Sequence, residues 1–186
     1  MSEAVGLLTY VDIFALPEDL KRHELLGGKL YSSSAPPLVH QEVLGEFFQV
    51  AARHIHDYRL GRFFTYRVDI RLSPHDVVVP DLLFIPRELG AIHMYRGDVQ
   101  GAPPMIAEII GPDTREIDSG LKFDLYERSG VSEYWLVDFE ARRFQLFALR
   151  DGRYQQSTLE DGRARSEAIP DLVVEPAALV AELDQE

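Results

Sequence analysis

Cysteine is absent from this 186-residue chain. Without cysteine the protein can form neither a disulfide framework nor a zinc site with thiolate ligands. Proteins of reducing compartments usually lack disulfides, whereas small secreted proteins often depend on them. The absence therefore fits a cytoplasmic location, which we expect for this protein.

Long apolar runs are also absent. No stretch approaches the roughly 20 apolar residues that span a bilayer, and residues 1–16 carry acids in place of the basic start of a signal peptide. Hydrophobic residues still make up 46% of the chain and aromatic residues 10%. The sequence thus predicts one globular domain over residues 1–186, with a sizeable core and no membrane segment.

Positive charge is scarce, and the net charge is −12. The three lysines are Lys21, Lys29 and Lys122. Such a surface excludes binding of nucleic acid through the whole surface, but it leaves room for a local basic track around an acidic metal site. Arg67, Arg71 and Arg115 would form such a track for phosphate groups, or they are solvated surface charges.

The stretch from residue 103 to residue 138 organises the predicted fold. Residues 105–110 form a short apolar run closed by Gly111-Pro112, which is typical of a buried strand. Residues 114–128 place Ile117, Leu121 and Leu125 four apart, which predicts a helix that ends at Gly130. Residues 134–137 again read as a strand. The order predicts a β-α-β unit with parallel strands.

The flanking segments add further elements. Short helices are predicted over residues 10–15 and 176–183, and a long amphipathic helix over residues 38–58. Glycine turns predict hairpins over residues 23–32 and 143–158. Residues 62–72 and 77–85 read as two strands, and residues 86–101 as an irregular polar excursion over the site.

Two acids lie where these strand patterns call for apolar residues. Asp81 follows Pro80 inside one apolar run, and Glu108 lies inside another. A buried carboxylate is costly unless it is paired or binds a metal, so each acid is either hydrogen-bonded to a neighbouring arginine, placed at a strand end, or a metal ligand. Two carboxylates and the backbone carbonyl of Ile109 would suit Mg²⁺ or Mn²⁺.

Lys122 is the candidate cation for this site. It lies in a polar line with Asp118 and Tyr126, spaced four apart beside the apolar stripe of the predicted helix. With a divalent cation at Asp81 and Glu108, Lys122 would stabilise the charge that develops on a phosphodiester or orient the attacking water. The alternative is a surface ion pair between Lys122 and Asp118.

These residues resemble the PD-(D/E)XK nuclease superfamily and, within it, the Uma-two family of restriction-endonuclease-like proteins. The likeness lies in Pro80-Asp81, in Glu108 ahead of the 111–115 turn, and in the segment from Lys122 through Tyr126 to the sequence Glu-Tyr-Trp-Leu-Val-Asp at 133–138. It continues at the front of the chain with residues 23–26, 28–31 and 40–41, and so covers roughly residues 9–183.

The resemblance implies an α/β fold of the restriction-endonuclease type, with a central mixed β-sheet flanked by α-helices. It implies Mg²⁺-dependent hydrolysis of DNA, with Asp81 and Glu108 as metal ligands and Lys122 as the catalytic lysine. It further implies Glu24 as an accessory acid, with His40 and Gln41 near the site. Because both DNA strands need an active site, a homodimer is expected.

Some positions depart from the family pattern. Ile110 occupies the position two residues after the second acid, where the superfamily usually has its lysine, so the amine of Lys122 comes from the following helix. Gly111 and Asp113 stand where the family usually has serines, and Gly27 where it usually has an acid. Extra negative charge at Asp113 would weaken the approach of phosphate.

Two rival functions remain open on the sequence alone. One is a nuclease-like module without catalysis that binds nucleic acid or a protein partner, which the net charge of −12 favours. The other is a plain globular domain whose buried acids are structural. Asp138 is interpreted as a turn former rather than a member of the polar cluster. His40, His54 and His56 lack the spacing of a zinc motif and are interpreted as surface or helix-cap residues.

Overall fold

The structure, a computed structural model, describes residues 6–17, 19, 21–65, 68–89, 94–95 and 98–184. Its strands in chain order are β1 (Arg22–Leu26), β2 (Lys29–Ser33), β3 (Gly61–Thr65), β4 (Asp69–Ser73), β5 (Asp76–Val78), β6 (Leu82–Pro86), β7 (Met94–Tyr95), β8 (Asp98–Gln100), β9 (Met105–Ile110), β10 (Glu133–Asp138), β11 (Arg143–Arg150), β12 (Arg153–Gln156), β13 (Ala164–Arg165) and β14 (Val173–Val174). Its helices are α1 (Tyr10–Ile13), α2 (Leu38–Asp57), a π-helix (Ile117–Lys122), α3 (Phe123–Ser129) and a 3₁₀-helix (Ala178–Asp184).

Six strands form a mixed central sheet in the order β12-β11-β10-β9-β6-β3. The strands β9 and β10 are parallel, paired from Met105–Glu133 to Ile110–Asp138, and the other neighbours in this sheet are antiparallel. The π-helix and α3 connect β9 to β10. The predicted β-α-β unit is thus confirmed.

A second sheet has the order β2-β1-β5-β4-β8-β7. The predicted hairpin near the start of the chain is confirmed as β1 and β2, joined at Gly27 and Gly28. Both glycines have positive φ, of 59° and 73°, which the two-residue turn requires.

The structure corrects two predicted strands. Residues 62–72 do not form one strand, because β3 belongs to the central sheet and β4 to the second sheet. Residues 77–85 likewise divide into β5 of the second sheet and β6 of the central sheet. Apolar alternation continues across the first break and a nearly continuous apolar run across the second, so neither pattern reveals a change of sheet. At the second break, Pro80 has no N–H to donate to a ladder.

The predicted irregular excursion over residues 86–101 is also partly wrong. The strand β8 pairs in parallel with β4, from Asp69–Asp98 to Arg71–Gln100. Residues 90–93 and 96–97 lie outside the described residues, as do residues 66 and 67 in the first corrected strand.

Helices cover both faces of the central sheet. On one face, α2 buries Val43, Phe47 and Ala51 against alternate residues of β9 and β10 such as Ala107 and Trp135. On the other face, α3 buries Leu125 and Tyr126 in a core that also contains residues of the second sheet. This arrangement confirms the predicted α/β fold with a mixed sheet flanked by helices.

The connection between β9 and β10 differs from the predicted helix over residues 114–128. It begins with a π-helix, and Leu121 of the predicted apolar stripe is 45% exposed. Asp118 and Lys122 are instead 1% and 0% exposed. The wider π-helical turn changes which side chains face the sheet, so Asp118 and Lys122 are buried together with Leu125 while Leu121 is exposed.

The remaining elements largely follow the sequence. The predicted second hairpin is confirmed as β11 and β12, and α1 is shorter than predicted. The last helix is a 3₁₀-helix instead of the predicted amphipathic helix. Within the described ranges, no helix is both long and apolar enough to cross a membrane.

Candidate active site

The candidate site lies where the chain crosses from the second sheet to the central sheet. Val79, Pro80 and Asp81 form this crossing between β5 and β6. The last pair between β6 and β9 is Leu82–Ala107, which places Asp81 and Glu108 side by side just beyond it. The backbone N–H of Asp81 lies 3.3 Å from Oε2 of Glu108, to which it donates.

Asp81 is bound on both carboxylate oxygens. Its Oδ2 accepts the backbone N–H of Ile109 at 2.8 Å and lies 3.1 Å from Nε2 of His40. Its Oδ1 accepts NH1 of Arg22 at 3.1 Å. Burial alone would raise the pKa of Asp81, but His40, Arg22 and the Ile109 amide outweigh this and hold it below its usual value. Asp81 is therefore ionised at neutral pH.

Glu108 and Lys122 form the centre of the cluster, and both side chains are fully buried. Nζ of Lys122 lies 2.9 Å from Oε1 of Glu108, and the hydroxyl of Tyr126 donates to the same oxygen at 3.0 Å. Lys122 also lies 2.9 Å from Oε1 of Glu24 and 3.3 Å from Oδ1 of Asp118. One ammonium group thus contacts three carboxylates.

The electrostatics of the cluster favour a charged lysine. Burial alone would lower the pKa of Lys122, but Glu108, Glu24 and Asp118 raise it above its ordinary value. Burial, together with Asp118 and Asp81, raises the pKa of Glu108 to about 8 against the opposing effect of Lys122. Burial likewise raises the pKa of Asp118. Glu108 and Asp118 therefore hold protons more tightly than exposed acids do, in contrast to Asp81.

Negative charge exceeds positive charge in the cluster. Its carboxylates are Glu24, Asp81, Glu108 and Asp118, and its permanent cations are Arg22 and Lys122. With every carboxylate ionised and His40 neutral, four negative charges face two positive charges. The excess equals the charge of one divalent cation, and oxygen donors are the ligands that Mg²⁺ and Mn²⁺ prefer. The donor set therefore fits such a cation.

Two of the three accessory residues that the resemblance implied contact the cluster, and the third is exposed. Glu24 is 4% exposed, and its Oε1 accepts the backbone N–H of Val79 at 2.8 Å. His40, at the start of α2, is buried and contacts Asp81, so its interpretation as a surface or helix-cap residue is wrong. Gln41 is exposed on the surface of α2. The N–H and C=O of one strand residue point to the same side, so the carbonyl of Ile109 faces the side of β9 on which Asp81 lies.

Sequence reasoning missed three members of the cluster. Arg22 precedes Glu24 by two residues on β1 and so shares its face, which was a usable signal. Asp118 and Tyr126 stood in the polar line with Lys122, but Asp118 was assigned to a surface pair, and Tyr126 received no role. The hydroxyl of Tyr134, which donates to the backbone carbonyl of Asp118 at 2.9 Å, holds the π-helix against β10.

The structure describes two of the three arginines of the predicted phosphate track, and both are paired with acids. Arg71 pairs with Asp98 at 2.6 Å. Arg115 pairs with Asp138 and with Glu140, and Asp138 also accepts the backbone N–H of Ala141 at 3.0 Å. Asp138 thus caps a turn, as interpreted from the sequence. Arg67 lies outside the described residues.

A surface cavity of about 590 Å³ opens beside the cluster. The residues that line it include Tyr31 of β2, Asp113, Arg115 and Glu116, and Ile117 and Leu121 of the π-helix. Ile117 and Leu121 directly precede Asp118 and Lys122 in the chain. The cavity is therefore next to the buried cluster, and two of its lining residues are acidic.

Comparison with known proteins agrees with this geometry. The family model Uma2, described as "Putative restriction endonuclease", matches residues 10–178. The fold is similar to that of a crystal structure described as a putative nuclease belonging to DUF820 from Anabaena variabilis, with a TM-score of 0.77 and 18% sequence identity. That match covers 95% of this chain and 99% of the other chain. No curated protein matches the chain.

The two matches carry different weight. At 18% identity, the structural match establishes a shared fold and nothing finer. The family match extends over nearly the whole chain, including Glu24, Asp81, Glu108 and Lys122. The chain therefore belongs to the Uma2 family and has a restriction-endonuclease-like fold.

Proposed function

We propose that this protein is an endonuclease that hydrolyses DNA phosphodiester bonds with the help of Mg²⁺ or Mn²⁺. The observation that carries the proposal is the convergence of Asp81, Glu108 and Lys122 in one buried cluster, in which four carboxylate side chains contact two permanent cations. A buried cluster of this kind is costly unless a cation or protons neutralise it. Membership of the Uma2 family supports the same function.

Asp81 and Glu108 are the proposed ligands of the cation, with the carbonyl of Ile109 as a third donor. No group of three or more His, Cys, Asp or Glu side chains in the described part of the chain is placed to hold a metal ion. Backbone oxygen and water would therefore complete the ligand set, as is common for Mg²⁺. When bound, the cation supplies Lewis-acid stabilisation of phosphate charge and activation of water.

Lys122 has a separate role in this proposal. The three carboxylates around it keep it protonated, so it acts as a positive charge and not as a base. It would stabilise the negative charge that develops on the phosphate, or orient the attacking water. Tyr126 and Lys122 both donate to Oε1 of Glu108 and fix this carboxylate, which leaves Oε2 directed to the side of Asp81.

Nicking of supercoiled plasmid tests the proposal directly. The wild-type protein should convert supercoiled plasmid to nicked and linear forms with Mg²⁺ or Mn²⁺ and not with EDTA. Asp81→Ala should reduce the rate at least about a hundredfold, because the cation loses a ligand. Gln49→Ala, which changes an exposed residue of α2 away from the cluster, is the matched control and should cleave as the wild type does. Equal nicking by wild type and Asp81→Ala would sink the nuclease proposal.

A second candidate is a module of the same fold that binds nucleic acid or a protein without hydrolysis. The complete burial of Glu108 and Lys122 favours it over an enzyme, because neither side chain is exposed to a substrate. Thermal melting separates this candidate from a purely structural cluster, since a ligand at a hundred times its Kd stabilises by about 2.7 kcal/mol. A structural cluster should show no rise of Tm with Mg²⁺ or Mn²⁺, whereas a metal site without catalysis should show a rise but no nicking.

A further inference from the structure

Arg22 is closer to solvent than the acids it contacts. Its side chain is 19% exposed, whereas the side chains of Asp81 and Glu24 are 8% and 6% exposed. Besides Asp81, its NH1 group donates to the backbone carbonyl of Val79 at 3.2 Å. The guanidinium group thus lies over the crossing between the two sheets and on the outer side of the carboxylates.

The contact between Arg22 and Asp81 involves the oxygen that a cation would need. Oδ2 of Asp81 is already engaged by the amide of Ile109 and by His40. Oδ1 is the oxygen that contacts Arg22, at 3.1 Å. A guanidinium group does not lose its proton near neutral pH, so Arg22 and a divalent cation compete for Oδ1 as two positive charges.

The other end of the guanidinium group is anchored separately. Nε of Arg22 donates to Oγ of Ser33 on β2 at 3.2 Å, and it lies 3.6 Å from Oε2 of Glu24. These contacts hold the guanidinium group on the second sheet. Because the group is a rigid plane, it leaves Asp81 only as a whole, so Nε must also release Ser33 when the side chain turns outward on its flexible stem.

On the basis of the proposed function, we infer that Arg22 is a gate with two alternative partners. In the free protein it covers Oδ1 of Asp81 and closes the carboxylate pair. When a divalent cation takes Oδ1, repulsion turns the guanidinium outward, where it binds a phosphate oxygen of the DNA. Arginine suits this second partner because its planar fork binds phosphate by two hydrogen bonds.

The net charge of the protein explains why an outward-facing Arg22 side chain would assist DNA binding. At −12, the surface repels a polyanion, so a cation at the mouth of the site matters more than it would on a basic protein. Arg71 and Arg115, which the sequence suggested for phosphate, are instead paired with acids. Arg22 becomes available when the cation arrives, which couples metal binding to DNA binding.

Metal and DNA affinities of Arg22 variants test this inference. We expect Arg22→Gln to tighten Mn²⁺ binding at least about tenfold in calorimetric titration without DNA, because one competing charge is gone. The same variant should bind a phosphorothioate DNA duplex, which resists hydrolysis, at least about tenfold more weakly at saturating Mn²⁺. Arg22→Lys keeps the charge but not the fork, so it should bind Mn²⁺ nearly as the wild type does and bind DNA more weakly.

Arg71→Gln is the matched control, because Arg71 is also a partly buried, ion-paired arginine of the second sheet but contacts Asp98. It should leave both affinities within about twofold of the wild type. Unchanged or weaker Mn²⁺ binding by folded Arg22→Gln would overturn the gate, as would unchanged DNA binding by both Arg22 variants. If Arg22→Gln does not fold, NMR of the wild-type protein decides the question. The gate requires that the Nε–H resonance of Arg22 shift during titration with Mg²⁺ alone.

Absence of metal binding by the wild type would instead refute the proposed function itself. If the wild type binds metal and nicks plasmid, but substitution of Arg22 changes neither metal nor DNA affinity, the nuclease proposal stands and the gate is refuted. The two failures are therefore distinguishable.

Discussion

At the scale of single residues, Lys122 is central to the stability of the cluster. Lys122→Met removes the cation that contacts Glu108, Glu24 and Asp118 and leaves these buried acids facing one another. We expect a loss of about 3–5 kcal/mol in the free energy of unfolding. Urea denaturation at pH 7 measures it, and a loss below about 1 kcal/mol would show that the ion pairs contribute little.

The double variant Lys122→Met/Glu108→Gln provides the control. Removing a carboxylate together with its cation leaves less uncompensated charge, so the loss should be smaller than the sum of the two single losses. Strict additivity would contradict a direct interaction between the two side chains.

Glu108 should also make stability depend on pH. Its pKa is raised to about 8 in the folded protein, whereas an unfolded glutamate titrates near 4.3. At a pH between these two pKa values, the folded chain keeps a proton on Glu108 that the unfolded chain has lost. The contribution of Glu108 to stability therefore falls as pH rises. Glu108→Gln does not titrate, and its stability relative to wild type should therefore increase from pH 5 to pH 8 in EDTA. A difference that stays constant over this range would contradict the raised pKa.

The residues of the site were predictable to the extent that they broke a pattern. Asp81 and Glu108 interrupted apolar strands, and that conflict between burial and charge identified them from sequence. Arg22 and Asp118 broke no pattern, because charged residues are ordinary at the edge of a hairpin or on a helix. Their burial arises from the packing of two sheets and a π-helix, which local sequence does not specify.

At the scale of secondary-structure elements, two glycines offer a matched pair of substitutions. A Cβ at Gly61 of β3 would lie 2.2 Å from the carbonyl oxygen of Ile85 and 2.8 Å from Cα of Pro86, whereas a Cβ at Gly120 of the π-helix would meet nothing within 4 Å. Gly61→Ala should lose at least about 2 kcal/mol, because backbone atoms of β6 cannot move aside easily. Gly120→Ala should gain about 0.5–1 kcal/mol by restricting the unfolded chain. Chemical denaturation tests this difference in sign, and a loss at both positions would contradict the open space at Gly120.

The turn after β10 is the second element with a measurable contribution. Arg115 and the amide of Ala141 hold the pKa of Asp138 below its usual value although burial opposes this. Asp138→Asn should therefore cost about 1–2 kcal/mol at pH 7. Because the folded pKa is depressed, this contribution is present above about pH 4 and is lost as pH falls further. Denaturation at pH 7 and pH 3 should show the difference from wild type shrinking, and an equal difference at both would refute the ion pair.

Elements with one continuous pattern were well predicted, and elements that divide between sheets were not. The long helix α2, the two hairpins and the β9–β10 unit each depend on contacts close in sequence or on one uniform face. The two corrected strands change sheets although the alternation of the first and the apolar run of the second continue. Which sheet a strand joins depends on partners far along the chain, and neither local pattern contains information about them.

At the scale of the whole molecule, the proposed nuclease function determines how many copies of the chain should act on one DNA duplex. Cleavage of both strands at one place requires two sites, so we predict that two copies of the 21.1 kDa chain act together on DNA. Light scattering of the complex with a short duplex should give the protein mass of a dimer. A single copy on a duplex that is cut in both strands would contradict the prediction.

The wide spacing of the cluster along the chain has a consequence for biosynthesis. Arg22 and Lys122 are separated by most of the region that forms the two sheets, and Asp81 and Glu108 lie between them. Contacts between such distant residues form late in folding, because the intervening loop must close first. A nascent chain that ends before Lys122 lacks the complete cluster, so the proposed activity can appear only after Lys122 has been synthesised and these distant contacts have formed.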